Sequence, residues 1–158
     1  MSVRSPDDMK KYAMEYAAKI NEAIRSSVKV GLPAEKVGGK VYGDGMTVIR
    51  VGAIHEYGLC PNPVRSFLRV PFNVKRKDLA KTIDTMFKKV QDGMPVKVAL
   101  GRIGIAAVNI SKDAFTNKGY GTWPDITAET KKAKGSSQVL IDTGTLRNSI
   151  THIVESKK

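Results

Sequence analysis

The stretch that most limits what this chain can fold into runs from Pro95 to Ile110. Val96, Ala99, Leu100, Ile103, Ala106, Ala107 and Ile110 recur at helical spacing. Gly101, Gly104, Ala106 and Ala107 leave the cylinder thin, and Pro95 suits a helix start. Small residues all round let other elements approach closely. The pattern therefore predicts a central helix on which the remainder packs.

Around it the chain alternates between helical and β-like patterns. Ser5 is a good N-cap, Pro6 fits the first helical position, and Asp7 and Asp8 favour the positive end of the helix dipole. Met9, Tyr12, Ala13, Tyr16, Ala17, Ile20, Ala23 and Ile24 then form an apolar stripe, which predicts a helix to about Val28. Lys40-Val41-Tyr42 and Met46–Val51 flank Gly43-Asp44-Gly45 and read as a hairpin near Lys40–Ile49. The second run leads into Ile54–Gly58, and the prolines within Leu59–Pro63 make a loop. Leu79, Ile83, Met86, Phe87 and Val90 share a helix face that Gly93 closes.

From Thr116 to Gln138 the composition shifts to Gly, Lys, Thr and Ser around Trp123-Pro124. This reads as a long exposed arm, with room for a short helix from Ile126 to Ala133. Val139-Leu140-Ile141 reads as a short strand, Asp142 as the cap of a turn, and Ser149–Val154 as a closing strand. The sum is an α+β fold. No repeat or linker divides residues 1–158, so they form one domain with an arm at 116–138.

Composition narrows the class. An apolar fraction of 41% suits a packed core, and no apolar run approaches the ~18 residues of a spanning helix. Residues Met1–Asp8 hold no apolar stretch of the secretory kind, so the expectation is a protein that stays where it is made. Cys60 stands alone and reads as a plain thiol on a loop. Lysine and arginine total 27 against 15 acids, a formal charge of +12. That charge fits nucleic-acid binding, docking on an acidic protein, or a solvated basic face. Nine bases between Arg65 and Lys97 face only Asp78, Asp84 and Asp92, and a solvated helix face is their simplest reading.

Chemistry-bearing patterns are incomplete. His55-Glu56 opens like a zinc-protease helix, but the position four after His55 is Leu59. No metal site, cofactor site or catalytic residue is expected. No Gly-x-Ser-x-Gly elbow and no phosphate-cradling loop is present. Asn109-Ile110-Ser111 is formally a glycosylation sequon, without meaning unless the protein is secreted. Glu56 and Asp142 read as structural acids, Glu56 pairing with Arg65 or Arg69 and Asp142 fixing a turn. The expectation is a protein that is not an enzyme.

Two segments together resemble the virion-morphogenesis and tail-completion families of tailed bacteriophages. The first is Ile54-His55-Glu56-Tyr57-Gly58, followed after a proline-rich gap by Pro63-Val64-Arg65-Ser66-Phe67-Leu68-Arg69-Val70-Pro71-Phe72. The second is Trp123-Pro124 with Thr127, Thr130, Lys131 and Lys132, then Leu140-Ile141-Asp142-Thr143-Gly144-Thr145-Leu146-Arg147-Asn148-Ser149-Ile150. The chain departs from the family pattern at Leu59-Cys60, where a small residue is usual, and at Val64 and Ser66, where Ala and Pro are common.

The resemblance implies a small, mainly antiparallel sheet against two or three long helices. It also implies a closed ring of six copies at the phage neck or tail top, joined to neck, head-completion or tail-tube proteins. Such a protein is assembled in the host cytoplasm and resides in the virion. On that reading His55, Glu56, Gly58, Phe67, Leu68, Asp142, Gly144 and Leu146 maintain the fold. Lys40, Tyr42, Arg65, Arg69, Tyr120 and Trp123 are candidates for the subunit interface. Trp123 is either an anchor on the arm or a residue folded back on its own domain. Contact with packaged DNA would be non-specific. The alternatives are a DNA-binding protein acting alone in packaging or regulation, and a hydrolase using His55 or His152.

Overall fold

The computed structural model describes residues 5–59, 61–134, 139–140 and 144–156. Its axis is α6 (Val96–Thr116), with Pro95 as N-cap and ten of its 21 residues buried. At 1.5 Å per residue this helix is about 31 Å long. Its first half packs in a cluster of Met86, Val90, Val96, Ala99, Leu100 and Ile103. Its second half supplies Val108, Ala114 and Phe115 to a second cluster with Val48, Phe67, Trp123, Val139, Leu146 and Ile150. The expected central helix is therefore what joins the two parts of the core.

Gly104 shows how the thin helix is used. A Cβ at this position would lie 2.3 Å from the His152 ring, so only glycine admits that ring. Gly101 has nothing within 4 Å and opens on empty space. His152 sits on β2 (Thr151–Ser156), which pairs antiparallel with β1 (Ser26–Gly31), Val28 opposite Val154. Val28 and Val154 turn toward the α6 cluster, while Lys29 and Glu155 pair at 2.7 Å on the other face. The α+β fold with a small antiparallel sheet is as expected, and among the described residues that sheet has two strands.

The first helix, α1 (Pro6–Ile24), carries a capping box. The Ser5 hydroxyl accepts from the Asp8 amide, and the Asp8 carboxylate accepts from the Ser5 amide. It stops at Ile24, not near Val28. The alternation Val28–Lys29–Val30 is taken by the strand, where one side can be buried and the other solvated.

A four-residue helix, α2 (Ala34–Val37), follows. The Asp-Gly turn then forms, but as a tight loop: Val41 bridges Thr47, and the Tyr42 amide donates to the Met46 carbonyl at 2.8 Å. The strand expected beyond it is absent. Val48–Tyr57 is helix α3, which Thr47 caps by accepting from the Arg50 amide at 3.2 Å. Gly58 ends this helix at φ +67.

After the loop come α4 (Arg69–Val74) and α5 (Arg76–Gln91). Leu79, Met86 and Val90 of α5 join the core as expected, but Ile83 and Phe87 stay more than a third exposed. The stretch after α6 is not a free arm through Trp123, which is 6% exposed. A short helix, α7 (Ala128–Lys134), follows, matching the one foreseen there. Val139 and Leu140 form a turn, Leu140 at φ 59, where a strand was expected. Gly144, at φ +76, a backbone conformation that favours glycine, starts α8 (Thr145–Ser149). Asp142 and Cys60 lie outside the described residues. No described helix is long and apolar enough to cross a membrane.

Candidate functional site

The two motif segments meet at one turn, residues 66–69. Glu56, on the last turn of α3, is 4% exposed and points into it. One carboxylate oxygen accepts from the Phe67 and Leu68 amides at 2.8 and 3.0 Å. The other accepts from the Ser66 hydroxyl at 2.8 Å, the Arg69 amide at 3.1 Å and Arg69 Nε at 3.0 Å. These amides open α4, where no preceding turn can satisfy them. A buried acid needs such donors, and amides without acceptors need such an acid.

The carbonyls of the same turn are held from the opposite side. Ser111, fully buried on α6, donates to the Phe67 carbonyl at 2.6 Å. Trp123 Nε1 donates to the Ser66 carbonyl at 2.9 Å. The Trp123 ring meets Phe115 edge-on at 5.4 Å, and Phe115 meets Phe67 at 5.6 Å. Arg65 completes the link: its guanidinium donates to the Pro124 and Asp125 carbonyls, both at 3.1 Å. Burial pulls this guanidinium below its ordinary pKa, with the Asp125 charge pushing the other way. Asp125 is itself held below the usual carboxylate range, first by a hydrogen bond from Lys131 at 2.7 Å.

The expected pairing of Glu56 with Arg69 is present, and Arg65 goes elsewhere. Phe67 is buried as an anchor and Leu68 half-buried, while Leu146 closes the core beneath. Gly58 is needed in place: a Cβ there would meet the Val64 amide nitrogen at 2.8 Å. The His55 carbonyl accepts from the Arg65 amide at 2.8 Å, and its ring borders a cleft of about 530 Å³ with Tyr42, Arg65 and Ile126.

The interface candidates divide. Trp123 is folded back on its own domain, the second of its two expected placements, and Arg65 is buried beside it. Tyr42 and Tyr120 are half-buried against the same core. Tyr120 donates from its hydroxyl to the Ile110 carbonyl at 3.2 Å, and burial raises its pKa. Lys40 and Arg69 face solvent. Arg69 lies 4.9 Å over the ring of Tyr57, and Tyr57, Leu59 and Val64 are each at least half exposed. Sequence reasoning missed Tyr57 and Val64 as surface groups, and Ser66 and Ser111 as core donors. Ser111 is the third residue of the formal sequon. The only hint at its role was its place on the thin central helix.

The arrangement spends its polar side chains on backbone groups. Among the described residues, no group of three His, Cys, Asp or Glu could hold a metal ion. Comparison with protein-family models, with curated proteins and with solved structures gave no match.

Proposed function

We propose that this chain is a non-catalytic structural protein of a tailed bacteriophage, forming a ring at the head–tail junction that completes the tail or neck and joins it to the head. The observation that carries this reading is the convergence at residues 66–69. Glu56 from the first motif segment and Trp123 from the second hold the same turn, with Arg65 tying the two together. Residues that resemble a family's signature are thus the ones that fix this fold. The buried Glu56, Arg65, Ser66 and Ser111 hold backbone groups in place. Side chains so engaged suit a rigid building block, with function placed on the surface around it. The exposed Tyr57, Leu59, Val64 and Arg69 form a rim on that block, and an aromatic beside an arginine is a common interface composition.

Quantitative mass spectrometry of particles assembled from the encoding genome tests this. The protein should be present at a small fixed copy number per virion, about that of a single ring. Its absence from purified particles would refute the reading.

One observation favours a second reading, a DNA-binding protein acting alone: the formal charge of +12. It requires the free chain to bind duplex DNA with an affinity that falls steeply with salt. A ring that lets DNA pass needs weak phosphate contacts, so acidic protein neighbours suit the lysines better.

A further inference from the structure

We propose that α1 is the joint between copies of this chain: the N-terminal half of α1 on one copy seats in the cleft between the C-terminal half of α1 and α5 on the next. The proposal deepens the ring reading and rests on it for where the assembly is used. It does not rest on it for the contact itself.

The helix is unfinished within one chain. It has 19 residues, a full apolar stripe and no buried residue. Met9 is 59% exposed, Ile20 41% and Ile24 77%, and every residue from 6 to 15 is exposed. Most helix stability in proteins comes from packing an apolar face, and this face is uncovered. Its second half is tied to the end of α5. Lys19 donates to the Val90 carbonyl at 3.3 Å, and Gln91 donates to the Tyr16 hydroxyl at 3.2 Å.

That second half also makes a receptor. Tyr16, Ile20, Ala23 and Ile24 of α1, with Phe87 and Val90 of α5, line an apolar cleft of about 320 Å³. The first half of α1 is therefore a projecting apolar ridge, and the second half one wall of an apolar groove. These are different surfaces. A contact between different surfaces is head-to-tail, and it closes into a ring when the rotation allows.

Charge selects a second copy as the occupant. Two chains of formal charge +12 repel wherever basic faces meet. Within α1, Asp7, Asp8, Glu15 and Glu22 outnumber Lys10, Lys11 and Lys19, so 3 − 4 gives −1. Within α5, five bases against Asp78 and Asp84 give 5 − 2, or +3. Within α6, three bases against Asp113 give 3 − 1, or +2. Of these three long helices α1 alone is negative, and the wall it would meet, α5, is the most positive. The ridge of about ten residues is roughly 15 Å long. It buries well under the ~800 Å² per partner of a stable pair. One such contact is weak; a closed ring gives every copy two.

Sedimentation equilibrium of the full chain tests the joint, using Met9→Asp on the ridge and Phe87→Asp in the groove. Both sites are at least a third exposed, and circular dichroism of each variant checks that it folds. Ala13→Glu repeats the ridge test at a second exposed helical position. The parent chain should gain mass with concentration, past the dimer. Each variant alone should stay monomeric. An equal mixture of Met9→Asp and Phe87→Asp should stop at the dimer, because one intact ridge meets one intact groove. A parent that is monomeric throughout, folded variants that assemble like it, or a mixture that stays monomeric would each overturn the proposal. Should the variants behave as stated while virions lack the protein, the joint stands and the head–tail reading falls. Should virions carry the protein and Met9→Asp build normal particles, the joint falls alone.

Discussion

Glu56 is the residue on which the motif turn depends. Its two oxygens receive three backbone amides, a hydroxyl and a guanidinium. Replacing it with glutamine keeps the shape but turns one oxygen into an amide that donates. That group then faces donors it cannot pair with. Bonds to a buried charged group contribute about 1.5–3 kcal/mol, and a buried donor left unmade costs a similar amount. Glu56→Gln should therefore lower stability by about 2–4 kcal/mol, read as a shift of the urea midpoint with an unchanged slope. A shift under about 0.5 kcal/mol would show that water reaches the turn, since exposed pairs contribute about that little. The Glu56–Arg69 partnership was legible because a carboxylate beside two nearby arginines leaves few choices. Trp123 was not. Its fate depends on the Ser66 carbonyl, 57 residues earlier in the chain, as well as on the nearby Phe115 ring.

At the scale of elements, the thin central helix gives a paired test. Gly104 faces the His152 ring with no room for a methyl group, and Gly101 faces open space. Gly104→Ala should destabilise by about 1–3 kcal/mol, as overpacking does. Gly101→Ala should stabilise by about 0.5–1 kcal/mol, because alanine in a helix loses less backbone freedom than glycine. Thermal or urea unfolding of the two variants reads both signs, and equal effects would mean that α6 does not meet β2 closely. This helix was legible because its apolar spacing repeats without a break from Val96 to Ile110. Two other elements misled for one reason: short β-branched runs suit either state. Val48–Val51 became helix because Thr47 caps it and Gly52 lets it lie close to Leu32 and Phe67. Ser26–Val30 left the helix because β2, more than a hundred residues later, pairs with it. The packing against Leu32 and Phe67 and the pairing with β2 both lie outside the window of residues that periodicity reads.

At the scale of the molecule, the chain combines a rigid motif turn with an uncovered helix. The core holds Glu56, Arg65, Phe67, Ser111 and Trp123 together, while α1 keeps its apolar stripe half-open. An uncovered apolar stripe of this kind is what the proposed joint between copies would use. The general shape, α+β with a central helix, could be read from patterning. Which surface is left for a neighbour could not, because exposure is a property of the packed chain. The most direct measurement is electron microscopy of particles made from a genome lacking this gene. The account predicts filled heads and finished tails that stay apart, restored to whole virions when the protein is supplied. Intact infectious particles without it would contradict the account.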